Sequence, residues 1–332
     1  MGVKVLQPGL LATIQDIGRH GVQKFGVIVG GAMDSISLRI ANLLVGNLHD
    51  EGALEVTLFG TSLFFESDEL IAITGGNLQP TIDGKEAPMW RPLLVQKGSI
   101  LKFHAAVSGC RAYVSFSGGI QVPTVMKSKS TYLRAAIGGF EGRQLQKYDF
   151  FECGKRTELG DELFQQLKNE ENYFSWSVNY TSFVKFTKTK TIRMIQGSEY
   201  TRFTEESLLK LLTTPYMITT HADRMGYRLE GEEIQLKEPF ELLSEGVTYG
   251  TIQVPSNGQP IILMADRQTT GGYPKIGQII SADLPSLAQM QATDIVHFQE
   301  VTLEEAQMAL IQQEKELNAL AFGLHIKRFQ HQ

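Results

Sequence analysis

The sequence predicts a mainly β fold with a few helices (α+β), because short strand-like segments follow one another closely along the chain. Between Ala53 and Tyr113 the segments ALEVTLF, SLFFES, LIAITG, LLVQ, ILKFHA and RAYVSF are separated by Gly, Pro, Asn or Asp. The 332 residues include 32 glycines, which favour frequent turns. Closely spaced short strands favour a barrel or a sandwich over a parallel α/β sheet.

The N-terminal part is predicted to contain two short strands and one helix. The strands are VKVLQPG and LLATIQD, at the start of the chain. The helix is predicted from Asp34 to Leu44, because Ile36, Ile40 and Leu44 recur at helical spacing. Asp34 or Ser35 is expected to cap it, since short polar side chains accept hydrogen bonds from the free N–H groups of a first turn.

A change in composition divides the chain into two predicted β units. Residues 165–190 are polar and show little periodicity, so they are predicted to connect a first unit at 1–164 with a second unit at 191–332. The end of the first unit, LGDELF at 159–164, is interpreted as a polar turn followed by a strand.

Two helices are predicted in the second unit. The first runs from Thr204 to Leu212, with two glutamates that suit the positive end of the helix dipole. The second is C-terminal and begins with the capping-box sequence Thr302-Leu303-Glu304-Glu305. Its apolar positions continue to Leu320.

Composition and charge exclude several classes of function. The formal net charge is −5 without a basic block, so neither nucleic acid nor an anionic membrane is an expected partner. No apolar run approaches the roughly 18 residues of a membrane span. Cys110 and Cys153 lie far apart and the histidines do not cluster, so the sequence predicts no metal site and a reducing, cytoplasmic setting.

The segment from Glu245 to Gly277 is the strongest candidate for a functional site. Its apolar runs GTIQV and IILMA flank a Pro-Ser-Asn-Gly turn, and KIGQII follows, which predicts an antiparallel meander. The loop Asp266-Arg267-Gln268-Thr269-Thr270-Gly271-Gly272 sets charged, amide and hydroxyl groups beside paired glycines. Glycine allows backbone N–H groups to approach a bound group closely. The loop is therefore either a ligand loop on rigid strands or a solvated hairpin loop.

Two N-terminal segments also place polar residues beside glycine. Gln15–Gly21 contains Asp16 and Arg19, which form either a turn salt bridge or part of a site. Gly30-Gly31 precede the helix that begins at Asp34. A helix N-terminus suits a carboxylate or phosphate, but Asp34 as a cap would compete with such an anion.

A third segment, His221–Arg228, contains four ionisable groups in eight residues. Asp223 and Arg224 are its central members. Clustered charges occur in active sites and also in structural networks, so a site and a solvated turn both remain open.

Taken together, these segments resemble a known family. QDIGRHG, GGAMDSISLRIANLLVGN, STYLRAAIGGFEGR, DRMGYRLEG and GTIQVPSNGQPIILMADRQTTGGYPKIG, in this order, are similar to the biotin-dependent carboxyltransferase family, also called allophanate hydrolase subunit 2. The resemblance covers nearly the whole chain. It implies two cyclophilin-like β-barrel units, a KipI-like partner of the subunit 1 type, and a third, lactam-utilising subunit.

The resemblance also implies a function. We expect a subunit of a multi-subunit ATP-dependent enzyme that opens 5-oxo-L-proline to L-glutamate. ATP would be used by the complex, although this sequence has no P-loop. The sequence contains no biotin-carrier domain, so the use of biotin stays open. The alternatives are a regulator that antagonises a KipI-type inhibitor of a sensor histidine kinase, and a biotin-dependent carboxyltransferase acting on a urea-like amide. A carbohydrate or peptide binder is disfavoured by the aromatic share of 9%.

The chemistry of 5-oxoproline assigns roles to residues of the loop. Arg267 is expected to grip the carboxylate and Gln268 to pair with the lactam amide. Asp266 or Asp223 would act as general base, while the N–H groups of Gly271 and Gly272 stabilise developing negative charge. Further substrate contacts are expected from Thr269, Thr270, Tyr273, Asp16, Arg19, Asp34 and Arg224.

Overall fold

The computed structural model describes residues 2–169, 172–240 and 242–327. Contacts divide the chain into two compact units. Unit 1 comprises Met1–Arg19, Gly30–Phe186 and Leu317–Gln332, and unit 2 comprises His20–Val29 and Thr187–Glu316. The predicted fold class is confirmed, since the described residues contain twenty strands and five α-helices. None of the described helices is long and apolar enough to cross a membrane.

Unit 1 contains two antiparallel sheets that share one core. Its strands are β1 (Gly2–Pro8), β2 (Leu11–Gln15), β3 (Ala53–Thr57), β4 (Thr61–Phe65), β5 (Glu69–Asn77), β6 (Thr81–Ile82), β7 (Lys85–Glu86), β8 (Pro92–Val95), β9 (Ile100–Lys102), β10 (Ser108–Phe116) and β11 (Phe150–Glu152). One sheet has the order β11-β1-β4-β9-β6-β7 and the other β2-β3-β10-β5-β8. Val5 and Phe65 of the first sheet pack in one buried cluster with Val56 and Val114 of the second. The two predicted N-terminal strands are thereby confirmed as β1 and β2.

Two helices accompany the sheets of unit 1. The predicted helix is confirmed as α1 (Ser35–Leu44), and its cap is Asp34, whose Oδ1 accepts a hydrogen bond from the Ser37 N–H at 2.9 Å. The interpretation of 159–164 as a turn and strand was wrong, because these residues lie in α2 (Glu158–Asn169). Phe164 and Leu167 are three positions apart, so one face of α2 packs into the apolar cluster of α1.

Unit 2 contains a closed seven-stranded barrel. The strands of the unit are β12 (Thr189–Gln196), β13 (Tyr216–Ile218), β14 (Gly226–Glu230), β15 (Glu245–Gly246), β16 (Thr251–Gln253), β17 (Ile261–Leu263), β18 (Thr270–Gly271), β19 (Lys275–Ile279) and β20 (Ile295–Glu300). The barrel order is β12-β19-β16-β17-β14-β13-β20, and a parallel pairing of β12 with β20 closes it. β15 and β18 form a separate two-stranded sheet.

The predicted meander is correct in its turn and wrong in its strand order. At the turn, the Gly258 N–H donates to the Pro255 carbonyl at 3.0 Å, which joins β16 to β17. β19 then pairs with β16 instead of β17, whose other neighbour is β14. The segment between β17 and β19 includes β18, which pairs with β15, so the chain crosses over rather than turning tightly.

The two predicted helices of the later chain are confirmed. α3 (Glu205–Thr213) is capped by Thr204, whose Oγ1 accepts from the Ser207 N–H at 3.2 Å. α4 (Leu284–Ala288) is a short helix that no sequence pattern predicted. α5 (Leu303–Lys327) begins with the predicted capping box, in which the N–H of Thr302 and that of Glu305 each donate to the other residue's side chain.

Candidate functional site

A cavity of about 540 Å³ in unit 2 collects most of the predicted site residues. Its volume lies within the range of small-molecule sites. The 266–273 loop forms one wall, and strands of the barrel form another. The cavity is lined by His221, Asp223, Met225, Gly226, Arg228, Val247, Gln253, Ile261, Leu263, Arg267, Gln268, Thr270, Gly271, Gly272 and Tyr273.

Strand register explains which side chains reach the cavity from the barrel. Tyr227, Ile252 and Ile262 are fully buried, and successive side chains on a strand point to opposite faces. Their neighbours Arg228, Gln253 and Ile261 therefore lie on the outer face. Ile261 pairs with both Arg228 and Gln253, so these three residues form a row across β14, β17 and β16.

A buried ion pair fixes the start of the 266–273 loop. Arg224 Nε donates to Asp266 Oδ2 at 2.8 Å, and Arg224 Nη2 donates to Oδ1 at 2.9 Å. The Asp266 N–H also donates to the Arg224 carbonyl at 2.7 Å, and both side chains are buried. Because both carboxylate oxygens are engaged and neither residue lines the cavity, this geometry favours a positioning role for the pair over general-base chemistry by Asp266.

Arg267 lines the cavity as a buried guanidinium that is short of acceptors. Its side chain is only 6% exposed, and Nη1 lies 3.4 and 3.5 Å from the carbonyls of Met264 and Ala265. These distances are long for N–H···O bonds. Nε is buried and has no hydrogen-bond partner among the described residues. Burial lowers the pKa of Arg267 to about 10, so the group is still charged at neutral pH.

The rest of the loop is more open. Thr270–Gly271 pairs with Glu245–Gly246, and the Val247 N–H donates to the Thr269 carbonyl at 3.1 Å. Thr269 does not line the cavity, whereas the exposed Gln268, Thr270, Gly272 and Tyr273 do. These residues present amide, hydroxyl and backbone groups at its entrance.

Asp223 is the carboxylate that lines this cavity. It is exposed, and its Oδ1 accepts from the N–H groups of Met225 at 2.7 Å and Gly226 at 3.1 Å. These bonds shape the turn before β14 and orient the carboxylate. Of the two general-base candidates, Asp223 is therefore the one with access to a bound solute.

Asp16 and Arg19 belong to unit 1 and meet at Ser130. The Asp16 carboxylate accepts hydrogen bonds from the N–H of Gly18 at 2.8 Å, from the hydroxyls of Ser128 and Ser130, and from the N–H of Lys129. Arg19 is fully buried, and its Nη2 donates to the Ser130 carbonyl. Both charges hold chain segments together here.

Asp34, also in unit 1, is the α1 cap and belongs to a second buried network. Its backbone N–H donates to Tyr113 Oη at 2.8 Å, and that hydroxyl donates to Glu55 Oε2 at 2.7 Å. Burial, together with the nearby carboxylates of Glu55 and Asp34, raises the pKa of Tyr113 well above its usual range. Tyr113 therefore remains a protonated donor. Among the described residues, no group of His, Cys, Asp and Glu has the arrangement of a metal site.

Comparison with known proteins identifies the family. A family model described as carboxyltransferase domain, subdomain A and B, matches residues 25–300. The chain belongs to this family. A urea amidolyase of Saccharomyces cerevisiae is 31% identical over 323 residues, which cover 92% of this chain and 17% of that protein.

Two similar proteins match this chain over almost their whole length. The C subunit of 5-oxoprolinase from Escherichia coli is 39% identical over 326 residues, covering 97% of this chain and 99% of that protein. The corresponding 5-oxoprolinase protein of Haemophilus influenzae is 38% identical over 304 residues, covering 92% and 93% respectively.

Solved structures confirm the carboxyltransferase fold. The K. lactis urea amidolyase structure has a TM-score of 0.86 at 26% identity, covering 96% of this chain and 20% of that chain. The Kluyveromyces lactis urea carboxylase structure gives the same score and identity, with 29% of that chain covered. This chain therefore spans only a fraction of those larger enzymes.

Two polar side chains that line the cavity had no role assigned from the sequence. Gln253 and Arg228 lie within β16 and β14; Arg228 falls in the candidate segment His221–Arg228, but neither was named as a site residue. The alternation of apolar and polar residues along the strands indicated that both side chains point outward, because each follows an apolar residue (Ile252 or Tyr227) that faces the barrel interior. An outward polar side chain on a strand is ordinarily solvated, and only the pairing of β14 with β17 and of β17 with β16 brings these two together.

Proposed function

We propose that this chain is the C subunit of a multi-subunit, ATP-dependent 5-oxoprolinase, which opens 5-oxo-L-proline to L-glutamate. The support is the match to two proteins so named, at 38% and 39% identity over nearly their whole length. Such a protein acts as part of an assembly. We propose that the other members are a KipI-like subunit of the subunit 1 type and a lactam-utilising subunit, and that the assembly is cytoplasmic.

The main observation in favour of a substrate site in this chain is that the buried Arg267 side chain is short of hydrogen-bond acceptors. A buried cation without adequate acceptors is costly unless a ligand supplies them. A carboxylate provides two oxygens for a guanidinium fork, and 5-oxoproline carries one carboxylate. The Arg224–Asp266 pair fixes the backbone immediately before Arg267 and thereby positions it.

The remaining residues of the cavity suit the lactam. We assign Asp223 as the general base that takes a proton from water, and the N–H groups of Gly271 and Gly272 as donors to the oxygen that becomes negatively charged once water has added to the activated carbon. Gln268, Thr270 and Tyr273 line the cavity at its open side and would close over the ring.

The reaction requires activation because an amide carbonyl is a poor electrophile. Transfer of the γ-phosphoryl group of ATP to the lactam oxygen creates a leaving group. Water then adds to that carbon, the C–N bond breaks with protonation of nitrogen, and a second water releases phosphate from the resulting acyl phosphate. We assign ATP to the assembly and no phosphate-binding residue to this chain.

Biotin is a separate question, because the family is associated with carboxyl transfer. Around this cavity, and within the described residues, Arg267 is the buried group that is short of acceptors. The substrate carboxylate accounts for it. We therefore assign no residue to biotin and derive no step through it.

The test is ATP-dependent glutamate release by this chain, by the candidate partner subunits, and by their mixture. We expect activity only in the mixture, and a loss of at least about 100-fold with Arg267→Met, since a buried charged hydrogen-bonding partner is removed. Arg202→Met is the matched control, because Arg202 is exposed and does not line the cavity.

Two other outcomes would replace the proposal. A mixture that binds tightly but releases no glutamate would favour the regulatory antagonist of a KipI-type inhibitor. Carboxylation of urea by a mixture with biotin carboxylase and carrier domains would favour the carboxyltransferase function, in line with the urea amidolyase relative.

A further inference from the structure

Gln253 is a buried polar side chain within the candidate cavity. It is 4% exposed, and its Nε2 donates to the Tyr273 carbonyl at 3.1 Å, which ties β16 to the end of the loop. No described residue donates a hydrogen bond to its Oε1. The amide thus has its donor side engaged by the protein and its acceptor side available.

The loop is shaped to accommodate this amide. A Cβ atom added at Gly271 would lie 2.6 Å from Gln253 Nε2 and 3.1 Å from Oε1, closer than side chains tolerate. A side chain at position 271 would therefore have to displace the end of the Gln253 side chain. At Gly272, by contrast, the nearest atoms would lie 3.4 and 3.5 Å away, which is ordinary contact.

The neighbours of Gln253 complete a surface for a small ring. Ile261 lies beside it in the row across the strands, and Leu263 lies next on the same face of β17. Leu263 pairs with Gly226, which has no side chain, so room is left above these apolar groups. Methylene carbons would rest there, while the polar edge of a ligand faces Gln253.

We propose that Gln253 recognises the lactam edge of the substrate, with its Oε1 accepting a hydrogen bond from the ring N–H while Nε2 holds the loop. This inference rests on the proposed function and deepens it. Gln268 is exposed and must lose side-chain freedom to act, whereas Gln253 is already ordered by burial. The site would therefore select a lactam over a ring that lacks the N–H.

The test compares 5-oxoproline with 3-oxocyclopentane-1-carboxylate, in which a CH₂ group replaces the ring N–H. Dissociation constants are measured by calorimetry with the reconstituted complex. We expect the wild type to prefer the lactam by at least about ten-fold, the effect of one hydrogen bond. Gln253→Met, of similar shape but without an acceptor, should reduce that preference to about two-fold or less, and Gln268→Ala should retain it.

The outcomes separate this inference from the proposed function. An undiminished lactam preference in Gln253→Met would overturn the role of Gln253 alone. Absence of 5-oxoproline binding to the wild-type complex would overturn the substrate itself, and with it the inference. A purely structural role for Gln253 predicts equal weakening of both ligands, since loosening the loop does not distinguish N–H from CH₂.

A second pair of variants tests the same contact from the loop. Gly271→Ala must displace the Gln253 amide and is expected to remove most of the lactam preference. Gly272→Ala introduces the same methyl group next to it with ordinary contacts, and should reduce the preference less. Circular dichroism confirms that both variants are folded. Retention of the full preference by folded Gly271→Ala would contradict the proposal.

Discussion

The Asp16 site of unit 1 and the Arg267 site of unit 2 differ in how fully the buried charge is paired. In unit 1, the Asp16 carboxylate accepts hydrogen bonds from two N–H groups and two hydroxyls, and Asp34 caps a helix. In unit 2, Arg267 is equally buried but has only two long contacts to carbonyls. Satisfied groups stabilise the native chain, whereas an unsatisfied one lining a cavity indicates a ligand.

The contrast is instructive because the sequence patterns are alike. QDIGRHG and ADRQTTGG both place Asp, Arg and Gln close to glycine. Residue type therefore does not distinguish a structural cluster from a binding site. The number of hydrogen-bond partners does, and partners such as Ser130 lie more than a hundred residues away from Asp16.

The largest effect on stability is expected from Asp16→Ala. Removing the carboxylate leaves four donors of unit 1 without their acceptor, which should lower the free energy of unfolding by about 3 kcal/mol or more. Urea denaturation measures the change, and Ser128→Ala, which removes one of those donors, should cost less. If Asp16→Ala were stable but inactive, Asp16 would belong to a site and the contrast with Arg267 would fail.

An intermediate effect is expected from Asp34→Ala. Loss of a helix N-cap costs about 1–2 kcal/mol, and Asp34→Ser should recover most of it because serine also caps well. Thermal unfolding and substrate affinity should be measured together. A drop in 5-oxoproline affinity without a change in stability would indicate that α1 binds a ligand at its N-terminus.

The smallest effect on stability is expected from Arg267→Met. Replacing a poorly paired buried cation by an apolar side chain should change the free energy of unfolding by less than about 1 kcal/mol, or raise it. Binding of 5-oxoproline should nevertheless fall strongly. A large loss of stability would show that Arg267 is a structural residue like Asp16, and the distinction between these two sites would disappear.

The sequence predicts features whose causes are local. The caps of α1 and α5 and the turn at 255–258 all depend on residues within four positions of one another, and all are confirmed. Amphipathic α2 was missed although Leu159, Leu163 and Leu167 recur at helical spacing, because the segment 159–164 was interpreted as a polar turn and a strand. The pairing of β19 with β16 and the burial of Gln253 depend on distant segments, so no local pattern specifies them.

In the candidate site, the loop residues were accessible to sequence reasoning because glycine and polar groups concentrate there. Which of these residues are paired within the protein, and which are available to a ligand, could not be predicted from the sequence. Asp266 is paired with a residue 42 positions earlier, and this partner decides that its carboxylate is engaged. Which of several similar side chains stays available for chemistry is thus determined by tertiary contacts.

The parallel seam between β12 and β20 has a consequence for how unit 2 forms. All other barrel pairings are antiparallel, whereas this one joins Thr189–Met194 to Ile295–Glu300. During synthesis, the barrel cannot close until residue 300 has left the ribosome, so the earlier strands must wait with an exposed edge. Substitutions along that seam should therefore slow folding and promote aggregation of the nascent chain, even when the finished site is intact.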